Sequence, residues 1–498
     1  MGKTITIDPI TRLEGHGKID IFLDDTGNVE KAYLQVPELR GFEKFAEGRP
    51  AEEMPQITSR ICGVCPGAHH MASTKTLDDL YDVVPTAAAK TIREMYYCLH
   101  MFEDHVLHFY ILAGPDFIVG PDAPKQDRNI LGVIDKVGVE TGKKVIGIRK
   151  NARGIISEIA GKNVHPVLGL PGGVAKRVSE DTRERMKYFA KEAVEFARFT
   201  LDTFHDIVLG NKEYTELILS DIYYHNTYYM GMVDSNNKVS FYEGDIKVID
   251  PEGKELLRFK PSEYSSVIGE HVEPWSYIKF PFLKKVGWKG FSDGKDSGIY
   301  RVAPIARLNA ADGMATPLAQ EEYEKMYETL GGKPIHNTLA MHWARLIETL
   351  YSAERIAELA QLPELTSPDI RNMDLKTPGE GVGIVEAPRG TLIHHYKTDQ
   401  RGIITACNLI VASLGNSAAM CMSVEKAAKR LIKDGKVNDG LLNMVEMAFR
   451  AYDPCLGCAT HFLPGKMPLK IDLFNLNGEK TGTILRKSNG DEAIYQYT

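Results

Sequence analysis

Cysteine is sparse in this chain, seven in 498 residues and unevenly placed, which excludes a disulfide-stapled scaffold. Positive charge is not in excess: 60 Lys+Arg stand against 67 Asp+Glu, a net charge of −7. A general polyanion binder needs a basic face to neutralise phosphates, so nucleic acid is not expected as a partner. Low hydrophobicity and high net charge are both missing, which argues against disorder, and no internal repeat or low-complexity segment is present. The N-terminus, MGKTITIDPITRLEGHGKID, has no basic stretch followed by an apolar one, so no secretory signal is expected. Gly2 and Thr6 fit a permissive acylation pattern, but Thr6 falls in an alternating, strand-like run. Residues 402–422 (GIITACNLIVASLGNSAAMCM) carry no charge, yet Thr405, Asn408, Ser413, Asn416 and Ser417 are too polar for a lipid-facing helix. A buried segment is expected there, with no direct membrane span.

What is present is ordinary globular material, 43% apolar and 26% charged. The length suggests two to four domains or one large body with elaborations. Residues 3–7, 18–23 and 29–36 alternate apolar and polar, with Asp24-Asp25-Thr26-Gly27 as hairpin chemistry between the last two. Helical periodicity predicts helices over 87–112, 180–209, 320–330, 338–362, 423–433 and 439–451. Between 228 and 300 the chain is rich in Gly, Pro, Asp and Tyr, with short strands predicted at 239–242 and 246–248. The tail from Pro468 repeats a hairpin pattern around Asn477-Gly478. The reading is a helix-rich α+β body with β elements at both ends and in the middle. Its segments are a β-rich 1–60, a helical 61–225, an irregular β insertion 226–310, a helical 311–461 and an extension 462–498.

Four of the cysteines form two C-x-x-C pairs, Cys62/Cys65 and Cys455/Cys458. Such a pair presents both sulfurs to one metal or one partner sulfur, so the chemistry is metal ligation or dithiol redox. A thioredoxin-like reading wants one pair in a compact unit, which two pairs at opposite ends of the chain fit poorly. A structural four-cysteine zinc site stays open. Such sites usually keep their ligands closer in sequence, and a domain of this size does not need a metal to fold.

The strings RICGVC, with His69 four residues after its second cysteine, and DPCLGCATH resemble the two signatures of the large subunit of nickel–iron hydrogenases. DPITRLEGH, RGFEKF, EDHVLHFY, VEAPRGTLIHHY and RAYDPC resemble further family segments in the family's order, so the likeness runs from residue 8 to 461. IVASLGN, in place of a VVPSTWN-like string, resembles the cytoplasmic multimeric branch, of methyl-viologen-reducing or bidirectional type. The resemblance implies a large-subunit body with a central helical bundle. It also implies reversible cleavage of dihydrogen to protons and electrons.

On the same resemblance, Cys62, Cys65, Cys455 and Cys458 ligate nickel, and Cys65 and Cys458 also bridge to an iron carrying carbon monoxide and cyanide. Ala387, Pro388, Leu392, Val411 and Ala412 would wall that iron, with Ser413 and Arg389 hydrogen-bonding the cyanides. The terminal thiolate of Cys455, or the guanidine of Arg389, would take the proton, and Glu14 would pass it outward. Asp104 and Asp453 would flank Arg389, and His69 would donate to a bridging sulfur. His105 and His108 are expected to pack. Glu43, the carbonyl of Leu409 and His461 would bind Mg²⁺ (or Fe). Cys98, Cys407 and Cys421 have no partner spacing, so buried, inert cysteine is expected for them.

A cluster needs four cysteines and only three are left over, so an iron–sulfur small subunit must carry the electrons. Beyond it the resemblance implies further electron-transfer subunits, of flavoprotein or heterodisulfide reductase type. A maturation endopeptidase would cut between His461 and Phe462. Two alternatives remain: a fold-sharing, non-catalytic electron-transfer or hydrogen-sensing subunit, as in the quinone-site subunit of respiratory complex I, and the zinc protein.

Overall fold

A computed structural model describes residues 3–461, 469–486 and 492–496. One apolar core gathers side chains from Ile7 to Ala459 and crosses the expected segment boundaries at 60, 225 and 310. Its frame is helical. Ala87–Leu107 packs on Met341–Leu359, which packs on Glu180–Phe204, while Val139–Ala160 covers the outside of Ala87–Leu107. Side-chain caps start two of these helices: the Thr86 hydroxyl accepts from Ala89 N–H at 3.2 Å and the Ser179 hydroxyl from Thr182 N–H at 3.1 Å. Helices expected over 87–112 and 180–209 run on as wider-wound turns at His108–Ala113 and His205–Leu209.

The β elements sit around this bundle. Thr4–Ile7, Lys18–Leu23 and Val29–Gln35 form an antiparallel sheet, as the alternation predicts. In the middle, Tyr228–Val233 pairs with Asp245–Ile249 and, in parallel, with Tyr300–Arg301. The strand expected over 239–242 does not form; only Val239 bridges to Val233. Phe241 and Tyr242, each 3% exposed, turn into the core instead. The tail hairpin is present, Leu469–Phe474 against Lys480–Arg486, with Gly478 at φ +81° in its turn. Among the described residues no helix is long and apolar enough to cross a membrane.

Several elements lie outside the sequence expectation, and two of them frame the functional site. Pro66–Leu80 is a helix buried almost all round, so it shows no amphipathic stripe. Val139–Ala160 is a helix interrupted by Gly142, Gly147 and Gly154, which weakens its propensity signal. Residues 380–410, expected as a loop and a buried run within a helical segment, form an antiparallel sheet of Glu380–Ala387, Gly390–Thr398 and Ile404–Ile410. Pro66–Leu80 lies directly on that sheet. A side chain at Gly381 would fall 2.5 Å from the backbone of Leu80, so only glycine permits this approach.

Candidate metal centre

The helix Asp439–Arg450 ends at Ala451, and Asp453, in the left-handed region at φ 55°, turns the chain through Pro454 into Cys455. There it meets the N-terminal segment: Leu456 N–H donates to Glu14 O at 2.9 Å and Glu14 N–H to Pro454 O at 3.4 Å, a parallel bridge. Cys455 N–H donates to the Ser413 hydroxyl at 2.9 Å. Cys458 lies in the tight turn Gly457–Ala459. On the other side, the turn Ser59–Ile61 delivers an extended Cys62, and Cys65 caps the helix Pro66–Leu80. The amides of Val64 and Cys65 donate to Cys62 Sγ at 3.2 and 3.3 Å.

The two pairs therefore converge. Cys62 and Cys455 sulfurs are 3.3 Å apart, Cys65 and Cys458 3.4 Å, Cys65 and Cys455 3.9 Å, and Cys455 and Cys458 2.7 Å. All four atoms lie within 4.8 Å of one another, and all four residues are buried. Hydrogen bonds from Cys455, Cys458 and Cys65 hold the Cys62 thiol well below its usual value, whereas burial drives Cys455 and Cys458 well above theirs. Four thiolates cannot share a dry pocket without a cation to neutralise them, so the donor set fits a soft, thiolate-bound metal.

The carboxylate of Glu14 closes one side of this cage. Its Oε2 lies 3.0 Å from Cys455 Sγ and accepts from Gly457 N–H at 3.0 Å. Burial, then the charge of Cys62, raises its pKa. Arg389, 2% exposed, stands near the sulfurs in the turn between Glu380–Ala387 and Gly390–Thr398. Its Nε donates to Asp453 O at 2.6 Å, its Nη1 lies 3.2 Å from Asp104 Oδ2, and its Nη2 2.9 Å from Asp453 Oδ2. Burial disfavours its charge, but Asp104 and Asp453 outweigh that and keep the guanidinium protonated. Asp104 and Asp453 thus flank the Arg389 guanidinium.

Pro388 is buried in the same turn, and Val411 and Ala412 lead into the short helix Ala412–Gly415 that carries Ser413. His69 is buried, with burial holding it neutral at a pKa of about 4. Its Nδ1 pairs with His394 Nε2 at 3.1 Å, and His394 Nδ1 in turn with the Tyr396 hydroxyl at 2.7 Å. His105, expected to pack, pairs with Glu348 at 2.9 Å.

Glu43, 2% exposed, accepts from Leu409 N–H at 2.9 Å and has Lys279 Nζ at 3.7 Å; burial lifts its pKa to about 7. It is the amide of Leu409, not its carbonyl, that touches this carboxylate. His461 is buried against Phe42 with both ring nitrogens lacking a hydrogen-bond partner, as a pending ligand would be. A buried carboxylate and a buried imidazole with free nitrogens fit a divalent cation. Phe462 lies outside the described residues.

Two further residues support the site without having been assigned a role from the sequence. His394 holds His69, and Asn416 Nδ2 donates to Arg389 O at 2.9 Å while its Oδ1 accepts from Val302 and Ala303. The string LIHHY and an uncharged run gave the only hints of them.

Comparison with known proteins agrees with this geometry. A family model described as nickel-dependent hydrogenase matches residues 40–131 and 143–461, and one described as HoxL-like matches 4–39. The chain is 50% identical over 483 residues to an iron-sulfur subunit of the F420-non-reducing hydrogenase of Archaeoglobus profundus, covering 97% of this chain and 99% of that one. It is 36% identical over 497 residues to the beta subunit of the NAD-reducing hydrogenase HoxS of Cupriavidus necator, covering 96% and 98%. The crystal structure of an NAD+-reducing nickel–iron hydrogenase in the H2-reduced state is similar at a TM-score of 0.85 and 36% identity, over 92% of this chain and 99% of that one. Likeness of this extent places the chain in the nickel-dependent hydrogenase family, as a catalytic large subunit that acts on dihydrogen.

Proposed function

We propose that the four thiolates hold nickel and that Cys65 and Cys458 also bridge to an iron carrying carbon monoxide and cyanide. Such a centre supplies, when bound, a Lewis-acidic and redox-active metal pair for heterolytic splitting of dihydrogen. The surrounding residues handle the proton and keep the site dry. Cys455 takes the proton as the terminal thiolate, and Glu14 receives it and passes it outward. The observation that carries this reading is the 3.0 Å contact between Glu14 Oε2 and Cys455 Sγ, with the carboxylate pinned from behind by Gly457 N–H.

Arg389 presents a fixed positive charge to the open side of the cage, held by Asp104 and Asp453. Ser413 and Arg389 would donate to the cyanides, and the buried Pro388, Val411 and Ala412 would keep water out. His69, its Nδ1 engaged by His394, would offer its other nitrogen to a bridging sulfur. Glu43, the carbonyl of Leu409 and His461 bind Mg²⁺ (or iron), which locks the chain just beyond the second cysteine pair.

Electrons leave through an iron–sulfur partner protein, because Cys98, Cys407 and Cys421 are too few for a cluster. The relatives are named as subunits, and HoxS as NAD-reducing. That supports a cytoplasmic complex with further flavoprotein or heterodisulfide reductase-type subunits. An endopeptidase removes the residues after His461, so the active subunit has the mass of residues 1–461; a full-length chain with nickel bound overturns the cut.

Glu14→Gln keeps size and hydrogen bonding but removes the proton acceptor. Exchange of D2 with water and dye-linked turnover should fall by about 100-fold or more, with nickel content and the cyanide and carbonyl infrared bands unchanged. Full exchange activity in this variant refutes the role of Glu14.

A further inference from the structure

The turn that carries Arg389 is held by side chains from distant parts of the chain. Arg307 Nη1 donates to Ala387 O at 2.8 Å, its Nη2 to Pro388 O at 3.3 Å, and Asn416 Nδ2 to Arg389 O at 2.9 Å. Successive carbonyls from 387 to 389 are thus each gripped by a buried side chain. Arg307 is itself fixed at 0% exposure. Its Nε and Nη2 meet the two oxygens of Glu348 at 2.6 Å each, and its Nη1 meets Glu386 Oε2 at 3.0 Å. Glu348 also pairs with His105 at 2.9 Å, the neighbour of the Asp104 that holds the Arg389 guanidinium. The two elements that fix Arg389, its backbone turn and its carboxylate partner, are therefore tied to one buried network.

A planar guanidinium suits this task because its fork can serve a carboxylate on one edge and carbonyls on the other. No step of the proton chemistry uses Arg307, Glu348 or Glu386, and the network does not touch the sulfurs. Burying a guanidinium and two carboxyl groups to staple two helices and a strand together is a poor way to gain stability, since apolar packing of the same volume does as well or better. Its geometry makes sense if it sets a position.

We infer that Arg307, locked by Glu348, is a positioning residue that sets where the Arg389 guanidinium stands over the metal cage. The inference rests on the role proposed for Arg389. An ammonium at 307 reaches fewer of these partners, so Arg307→Lys should loosen the turn while keeping the charge. Hydrogen exchange of the peptide covering 385–392, in the nickel-loaded complex, should quicken by about tenfold or more, with nickel content unchanged. Dihydrogen turnover should fall by about 10- to 100-fold, as for other groups that orient a metal site from outside its ligands.

The decisive comparison is Arg307→Lys in an Arg389→Lys background. If Arg307 acts through Arg389, the double variant turns over within about twofold of Arg389→Lys alone. Losses that multiply show a general structural role and overturn the inference, as does a turn whose exchange is unchanged. Glu348→Gln, which keeps the volume but weakens the lock, gives the same comparison should Arg307→Lys fail to load nickel. Full activity of Arg389→Lys by itself refutes the role of Arg389, and the exchange measurement still reports whether Arg307 holds the turn.

Discussion

Gly457→Ala would displace Glu14 without altering its chemistry. Gly457 sits in the turn between the two cysteines of the second pair, at no unusual φ, so alanine is compatible with the backbone. A Cβ there would stand 2.7 Å from Glu14 Oε1 and 3.1 Å from Oε2 and from Arg40 Nη1. A carbon and an oxygen settle at about 3.3 Å or more, so the carboxylate must retreat by roughly 0.6 Å. The backbone of Glu14 cannot follow, because it is bonded to Pro454 and Leu456, and the side chain must swing instead. The 3.0 Å contact with Cys455 Sγ and the bond from the amide of residue 457 both lengthen. Misplacement of a reacting group by about 1 Å can cost about 100-fold, so exchange of D2 with water should fall by about 10- to 100-fold. Nickel content should stay the same. In a Glu14→Gln background the added methyl should cost nothing further. Wild-type exchange with the new Cβ in place in a crystal structure, or losses that multiply with Glu14→Gln, refutes the reasoning.

Two further outcomes follow from buried groups. Mg²⁺ added back to chelator-treated protein should raise the unfolding temperature, by about 2.7 kcal/mol of stability at a hundredfold excess over Kd. His461→Gln should lower the affinity for that cation; an equal shift in wild type and variant places it elsewhere. Burial, and then the charge of Arg345, holds His342 neutral with a pKa of about 3, far below the value near 6.5 of a free histidine. Its contribution to stability is therefore whole above pH 6.5 and is lost as pH falls from 6.5 towards 3. The loss is about 1.4 kcal/mol per pH unit, or about 2 kcal/mol at pH 5. His342→Phe keeps a ring against His108 and Phe117 and should lessen the drop in stability between pH 7 and pH 5 by that amount. An unchanged drop means that His342 is not held neutral.

Much of this was legible in the residues. Period-two alternation placed Lys18–Leu23 to the residue, and 3.6 periodicity found the long helices Ala87–Leu107 and Glu180–Phe204. The cysteine pairs, Glu14 and Arg389 stood in strings specific enough to bring together residues from opposite ends of the chain. Apart from the glycine-interrupted Val139–Ala160, two of the elements that escaped share a cause. Pro66–Leu80 is buried on every side and Glu380–Ala387 on both faces, so neither shows the contrast of apolar and polar that periodicity detects. Arg307, His394 and Asn416 act through partners set by the tertiary fold, and no local spacing announces such contacts.

The bridge between Glu14 and Cys455 has a consequence for biosynthesis. A ribosome releases the chain from its N-terminus, so Cys62, Cys65 and Glu14 emerge hundreds of residues before their counterparts. Until Cys458 has been translated, no complete donor set exists, and the first cysteine pair waits as two thiols without a cage. Coordination by all four sulfurs therefore has to wait until nearly the whole chain has been made.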